Sequence, residues 1–374
     1  MKIITFYLPQ FHEIPENNEW WGKGFTEWVN VKKAKPLFAE HYQPRIPKDR
    51  KYYNLLDINT IKWQVDLAKK SGIYGFCFYH YWFDGHMLLE KPVELFLKNK
   101  DINFKYCLSW ANEDWTNAWV SHNTKTLISQ TYGKQDEWKR HFDYLKKFFL
   151  DERYIKINGK PLMIIYRPEI IPCLNDMLDY WSELARKEGL EGISFAYQHV
   201  NFGLMKKKDD SRFDFQIEYQ PSYVITEMKS RSNSMLRNFK KKIDIFSQTY
   251  FHRTISLSNF NKNVETYNYD EMWNRILSRR PDSEKNVPGA FVDWDNTPRR
   301  GNKGSLMVGT SPEKFETYLR KQIKRARNVY NKDMLFMFAW NEWAEGGYLE
   351  PDERYGTAYL DAIKNALIET NENE

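Results

Sequence analysis

A chain of 374 residues that is 41% hydrophobic and 28% charged is long enough for one large α/β domain with a water-facing surface. Its formal net charge of +6 is modest for that length and gives no argument for a nucleic-acid partner. Three cysteines without a CxxC spacing exclude a disulfide framework, and no run of about 18 apolar residues offers a membrane span. The unusual quantity is aromatic content, 17% of the chain with 14 Trp and 24 Tyr. Such rings beside carboxylates and amides suit the C–H faces and hydroxyl edges of sugars, although an aromatic-rich core would read the same way.

In chain order, Ile3–Leu8 reads as a first strand. Residues 9 to 56 follow, with Pro9, Pro15, Pro36, Pro44 and Pro47 among three tryptophans, an ordered irregular loop. Asn59–Ser71 is an amphipathic helix with Ile61, Val65 and Ala68 on one face, and Gly72 ends it. Further strands are expected at Ile73–Phe78, Phe104–Ser109, Leu162–Tyr166, Ile193–Tyr197 and Phe213–Glu218. A second long connection, residues 221 to 288, contains the basic Arg237–Lys242 and a helical pattern at Tyr269–Arg279. Ala290–Trp294 and Met334–Trp340 complete eight strands, and Thr357–Thr370 is a closing helix with Leu360, Ile363, Ala366 and Leu367 inward. Strands apolar on both faces, alternating with helices, imply a buried parallel sheet. The predicted fold is a (β/α)8 TIM barrel, one domain over residues 1–374, with long loops at 9–56 and 221–288 on its C-terminal face. A doubly wound open sheet is the alternative.

The strand ends then become one neighbourhood. They offer Tyr7, Gln10 and His12; His80, Tyr81 and Trp82; and Trp110, Asn112, Glu113, Asp114 and Trp115. Later strands offer Arg167 and Glu169, Gln198 and His199, Glu218 and Tyr219, then Asp293, Trp294 and Asp295. The last gives Asn341, Glu342, Trp343 and Glu345. Glycosyl chemistry needs one group to exchange a proton with the glycosidic oxygen and another to stabilise or intercept the anomeric carbon. Glu342 and Glu345 supply two carboxyls on one short loop, and repulsion plus the walls of Trp340 and Trp343 would keep one protonated. A structural alternative has Glu345 capping a helix and Glu342 paired with Arg354. Glu113 and Asp114 form a rival pair, and Asp293-Trp294-Asp295 has the D-x-D spacing that can hold a cation against a diphosphate. No HExxH, cysteine cluster or EF-hand pattern is present, and neither a metal nor a cofactor is expected.

The segments FYLPQFHEIPENNEWWGKGFTEW (6–28), YNLLD (53–57), GFCFYHYWF (75–83), LSWANEDW (108–115) and AWNEWAEGGYLEPDERYG (339–356) resemble the WbsX family. Its members are assigned as glycosyltransferases of bacterial surface-polysaccharide clusters. That family is similar to glycoside hydrolase family 99, the endo-α-mannosidases and endomannanases, which are (β/α)8 barrels. The resemblance implies that Asn-Glu-Trp-x-Glu-Gly carries the catalytic pair. Glu342 would be the base on the sugar 2-hydroxyl, giving a 1,2-anhydro sugar with retention, and Glu345 the general acid and then base. Ala344 departs from the hydrolases, which usually carry a polar residue there, often His.

The expected function is therefore cleavage or transfer at a glycosidic bond of a surface polysaccharide or its precursor, a substrate that includes lipid-linked oligosaccharide. Alternatives are a nucleotide-sugar-dependent glycosyltransferase and a non-catalytic glycan-binding module. The opening MKIITFYLPQFH lacks the length of a signal h-region, so a cytoplasmic location is expected. Lys206–Lys208 and Lys240–Lys242 read as solvated charge, with peripheral contact to an anionic membrane surface as the alternative.

Overall fold

The structure, a computed structural model, describes residues 1–116, 126–200, 209–229 and 264–372. The basic stretches Lys206–Lys208 and Lys240–Lys242, and with them Arg237–Lys242, lie outside the described residues. The barrel strands are β1 (Lys2–Tyr7), β2 (Gly75–Phe83), β3 (Lys105–Trp110), β4 (Lys160–Ile165), β5 (Ser194–His199) and β6 (Phe213–Glu218). The seventh position, β7, comes in two pieces, Asn286–Val287 and Gly289–Phe291, and β8 is Met334–Phe338. Each strand pairs in parallel with the next, and β1 returns to β8 in the register Lys2↔Met334.

Closure depends on one proline. The first piece of β7 pairs with β6 and the second with β8, and only Pro288 separates them. Proline has no N–H for a ladder, so the pairing partner changes there. Its carbonyl still accepts from the Phe336 amide at 3.2 Å. The seventh strand therefore begins before the expected Ala290 and ends at Phe291, three residues short of Trp294.

Helices cover the barrel: α1 (Ile58–Lys70), α2 (Lys91–Lys98), α3 (Gln135–Phe149), α4 (Leu174–Lys187), α5 (Tyr269–Ser278), α6 (Pro312–Asn328) and α7 (Ala358–Glu372). Asp57 caps α1 by accepting from the Asn59 amide, Ile61, Val65 and Ala68 are its buried face, and Gly72 follows at φ 81°. Helices outside and a filled interior bury all nine residues of β2, which is why no polar alternation marks it. The interior is aromatic: Phe6 meets Tyr79, Tyr219 and Phe336 with ring centroids 5.1 to 5.8 Å apart. Residues 8 to 57 lie over the C-terminal mouth and carry two short helices, Pro15–Trp21 and Glu27–Lys33.

At Gly289 the second piece of β7 passes so close to β6 that a Cβ would stand 1.8 Å from the Glu218 carbonyl oxygen. Backbone cannot yield as a flexible side chain does, so Gly289→Ala should cost at least about 1–3 kcal/mol of stability. Urea unfolding measures it; a midpoint equal to that of the wild type would contradict this close approach.

Candidate active site

Beyond β8 the chain enters an antiparallel pair, Asn341–Glu342 with Gly347–Tyr348, joined by the turn Trp343–Glu345. Gly346 sits at φ 71°, and a Cβ there would be 2.8 Å from the Asp295 amide, so a side chain is excluded by conformation and by space. Asn341 fixes the start of the turn. Its Oδ1 accepts from the Leu8 amide at 2.8 Å and its Nδ2 donates to the Leu8 carbonyl at 3.0 Å. Behind the turn, Glu350 accepts from Trp340 and Trp343 Nε1 at 3.1 and 2.6 Å, Gln64 Nε2 at 2.6 Å and the Tyr53 hydroxyl at 2.8 Å. Burial pushes the Glu350 carboxyl up to about 7 while those four donors hold it down.

Glu342 and Glu345 open on a cavity of about 190 Å³ at the barrel mouth, walled by Tyr79, Tyr81, Trp115, Tyr166, Tyr219 and Trp294. Tyr79 and Tyr219 share a hydroxyl hydrogen bond of 2.8 Å. Burial raises all four tyrosines, so they remain neutral hydroxyls able to donate and accept. Glu113 and Asp114 lie on the opposite wall, and Glu113 pairs with Arg167, which also holds Glu169.

One guanidinium organises the two glutamates. Arg299, on the short helix Thr297–Arg300 after β7, directs Nη1 to Glu345 Oε1 at 2.5 Å and Nη2 to Glu342 Oε2 at 3.4 Å. Its Nε donates to Glu27 Oε1 at 2.9 Å, and Glu27 also accepts from Asn30. Burial raises the Glu342 carboxyl to about 8, with Glu345 adding to the rise and Arg299 opposing it. Glu345 is raised by the same burial and opposed first by Arg299. The shorter contact favours charge on Glu345, so in the free protein the proton belongs on Glu342.

The structure distributes the predicted residues unevenly. Tyr81, Glu113, Tyr219, Trp294, Glu342 and Glu345 line the cavity. Asn112 is fully buried and does not line it; its side chain donates to the Arg167 carbonyl and accepts from the Arg167 amide. Gln10 lines a small hollow beside Glu27, and Asp293 faces a different cavity. Tyr7, His80, Trp82, Trp110 and Glu218 are corrections: they point from the strands into the surrounding helix layer. Tyr7 donates to Gln64 of α1, His80 meets His141 of α3, and Trp82 donates to Glu137 of α3. Trp110 packs on Trp181 of α4, and Glu218 accepts from Tyr330 and Asn286. The reason is strand alternation: successive side chains take opposite faces, so Tyr79 and Tyr81 point in where His80 and Trp82 point out. Asn341 and Trp343 support the turn from behind, and Trp343 stacks on Tyr348. The alternative partner Arg354 lies over Tyr42 and Tyr355, away from Glu342. Strand period could have found Tyr79 and Tyr166. Nothing local signals Glu27 or Arg299.

The family profile described as Glycosyltransferase WbsX matches residues 3–363. Uncharacterized protein WxcX of Xanthomonas campestris pv. campestris is 34% identical over 368 residues in each of two strains, B100 and ATCC 33913. That match covers 98% of this chain and 49% of the relative, so the chain spans about half the length of the curated relatives it matches. A GH99 endo-α-mannosidase from Bacteroides thetaiotaomicron, in complex with bis-tris-propane, superposes with a TM-score of 0.56 at 13% identity. The match covers 99% of this chain and 97% of that one. A glycoside hydrolase-like protein gives 0.54 at 13% identity, over 98% and 93% of the two chains. At these identities the likeness establishes the shared TIM-barrel fold.

Two measurements test the electrostatics. Arg299→Leu leaves three buried carboxyl groups, two of them ionised, without their shared cation and should cost about 3–5 kcal/mol by denaturant unfolding at neutral pH. A loss below about 1 kcal/mol would show the cluster to be hydrated. Folded Glu342 keeps its proton up to about pH 8, whereas an ordinary glutamate loses it near 4.5. The folded state thus binds more protons in that window and loses stability as pH rises through it. Glu342→Gln removes this penalty, so its Tm should match the wild type below pH 4.5 and exceed it at pH 8; parallel Tm curves would refute the raised pKa.

Proposed function

The chain belongs to the WbsX glycosyltransferase family, and from that premise we propose that Glu342 and Glu345 transfer glycosyl units within a bacterial surface polysaccharide or its precursor. The observation that carries the reading is the pair itself: two buried carboxyls on one guanidinium, facing an aromatic cavity at the C-terminal mouth of a TIM barrel. Residues 1–374 act as one catalytic domain on this reading. The chemistry follows the retaining pattern of the GH99 relatives in fold. Glu342 takes the proton of the 2-hydroxyl, O2 attacks C1, the bond from C1 to the leaving oxygen breaks, and Glu345 protonates that oxygen. Water or an acceptor hydroxyl then adds at C1 and gives its proton to Glu345. The C1–O2 bond opens and O2 recovers a proton from Glu342. Two inversions at C1 give retention.

The resting proton order is the reverse of these roles, and substrate contacts correct it. A 2-hydroxyl donating to Glu342 stabilises its ionised form. A glycosidic oxygen has no proton to give, so it favours the protonated form of Glu345. Each contact moves the shared proton toward the position that the reaction needs.

The family's description favours a second reading, a nucleotide-sugar transferase using the D-x-D carboxylates. Those side chains are already engaged. Arg45 Nη2 lies 2.7 Å from Asp293 and 3.8 Å from Asp295, and His41, Gln43 and Thr297 bond Asp295. A guanidinium where the cation would sit does not fit a metal-held diphosphate. The acceptor therefore decides between hydrolysis and transfer on one set of groups. Among the described residues, no helix is long and apolar enough to cross a membrane. No disulfide joins Cys77, Cys107 and Cys173, in keeping with a proposed cytoplasmic site of action on lipid-linked glycan at the membrane face.

The test is product release from α-mannan fragments and lipid-linked oligosaccharides. Glu342→Gln and Glu345→Gln should each lower turnover by roughly 10²–10⁴-fold. Full turnover by Glu345→Gln would end the acid/base assignment. Activity that requires a nucleotide sugar and Mn²⁺ and dies with Asp293→Ala would establish the second reading. Oligosaccharide binding without turnover would make the domain a glycan-binding module.

A further inference from the structure

Behind the catalytic turn, across the end of β7, lies a larger cavity of about 560 Å³. The wall between the two cavities is a single stretch of chain. Trp294 faces the glutamates, while its neighbours Asp293 and Asp295 face the second cavity. The floor of that cavity also holds the catalytic turn: the Asp295 amide donates to the Glu345 carbonyl at 2.7 Å, and Arg45 Nη1 to the Gly346 carbonyl at 3.3 Å.

Its lining has two chemical parts. At the rim, Phe38 is 40% exposed, although its ring stacks on His41. Tyr42 and Tyr355 meet edge to face at 6.4 Å, and the exposed Arg354 guanidinium covers both. On the floor, the Arg45 side chain is 9% exposed and its Nε has no acceptor in the structure, although the guanidinium binds Asp293. That Nε has no open surface of its own, so what the floor offers a ligand is the small exposed part of Arg45 and Asp293, whose side chains are 9% and 10% exposed. Charge decides the ligand class. Asp293 and Asp295 are already paired with Arg45 and His41, which leaves Arg354 and Glu40 at the rim, so the lining has no surplus positive charge to hold a phosphate or uronate. A neutral polyol with apolar C–H faces fits the rings, and its hydroxyls fit the floor.

We propose that this cavity is a second saccharide site, for an uncharged sugar unit. The choice of a saccharide rests on the glycan reading of the neighbouring cavity; the cavity and its rings do not. It lies on the other side of the β7 end from the glutamates.

The test uses the full chain carrying Glu345→Gln, titrated with neutral disaccharides of mannose, rhamnose and glucose and, separately, with UDP. Calorimetry and saturation-transfer NMR report binding. Phe38→Ala combined with Arg354→Ala alters only exposed side chains, so Tm should hold while disaccharide affinity at this site falls roughly tenfold. Trp294→Ala, in the catalytic cavity, should leave that component in place. Binding that is abolished by Trp294→Ala and indifferent to the Phe38 and Arg354 changes overturns the second site and leaves the catalytic reading intact. UDP binding that depends on Arg354, without saccharide binding there, overturns the neutral ligand. Failure of every chain variant to bind any saccharide overturns both readings.

Discussion

The guanidinium of Arg299, shared by Glu27, Glu342 and Glu345, is the contact on which the candidate site depends. Each carboxylate comes from a different part of the mouth: the loop after β1, and the start and end of the turn after β8. Desolvating any of them alone would cost several kcal/mol, so none of these positions makes sense without the cation. The loop of residues 8 to 57 has a clear purpose in this light. Trp28 donates to the Tyr53 carbonyl at 2.8 Å and its ring meets Trp343 at 5.5 Å, clamping the helix that carries Glu27 against the turn.

Beneath that charged layer lies a rigid one. Glu350 gathers two indoles, an amide and a phenol, and Asn341 ties the turn to the end of β1. A carboxylate that satisfies four donors fixes Trp340 and Trp343 in orientation, which leaves Glu342 little freedom to escape its unfavourable surroundings. The raised Glu342 carboxyl is thus a strain maintained by the rest of the turn, stability given up to keep a proton shared between the two glutamates at the mouth.

The sequence showed the frame because its signals are local. Apolar runs, the face of α1 and Gly72 each depend on neighbours within one or two turns, and they implied eight strands and a barrel. The position of the paired glutamates at the last strand end followed from that. What misled was parity within a strand. GFCFYHYWF is buried throughout, so composition does not say which residues look inward, and the sequence alone offers His80 and Trp82 to the cavity in place of Tyr79. Arg299 was beyond local reasoning altogether, since it bonds Glu27 across 272 positions and Glu342 across 43. Arg354, only twelve positions beyond Glu342, is the partner that the structural alternative offers, and it lies over tyrosines instead.

Charge balance explains why such a costly cluster suits this chemistry. One guanidinium serves three carboxyls, and with one proton on the pair the group carries a net negative charge. Glycosyl transfer builds positive charge at the anomeric carbon and ring oxygen in the transition state. A neutralised pair of ion pairs would offer that cation nothing, whereas an under-neutralised cluster in a cavity of low dielectric attracts it most when its charge is greatest. The surrounding tyrosines add neutral hydroxyls without cancelling the field, since burial keeps all four protonated. A second cation at this position would steady the fold and weaken the attraction. The single shared arginine is therefore a compromise between folding, which favours neutrality, and catalysis of a cationic transition state, which does not.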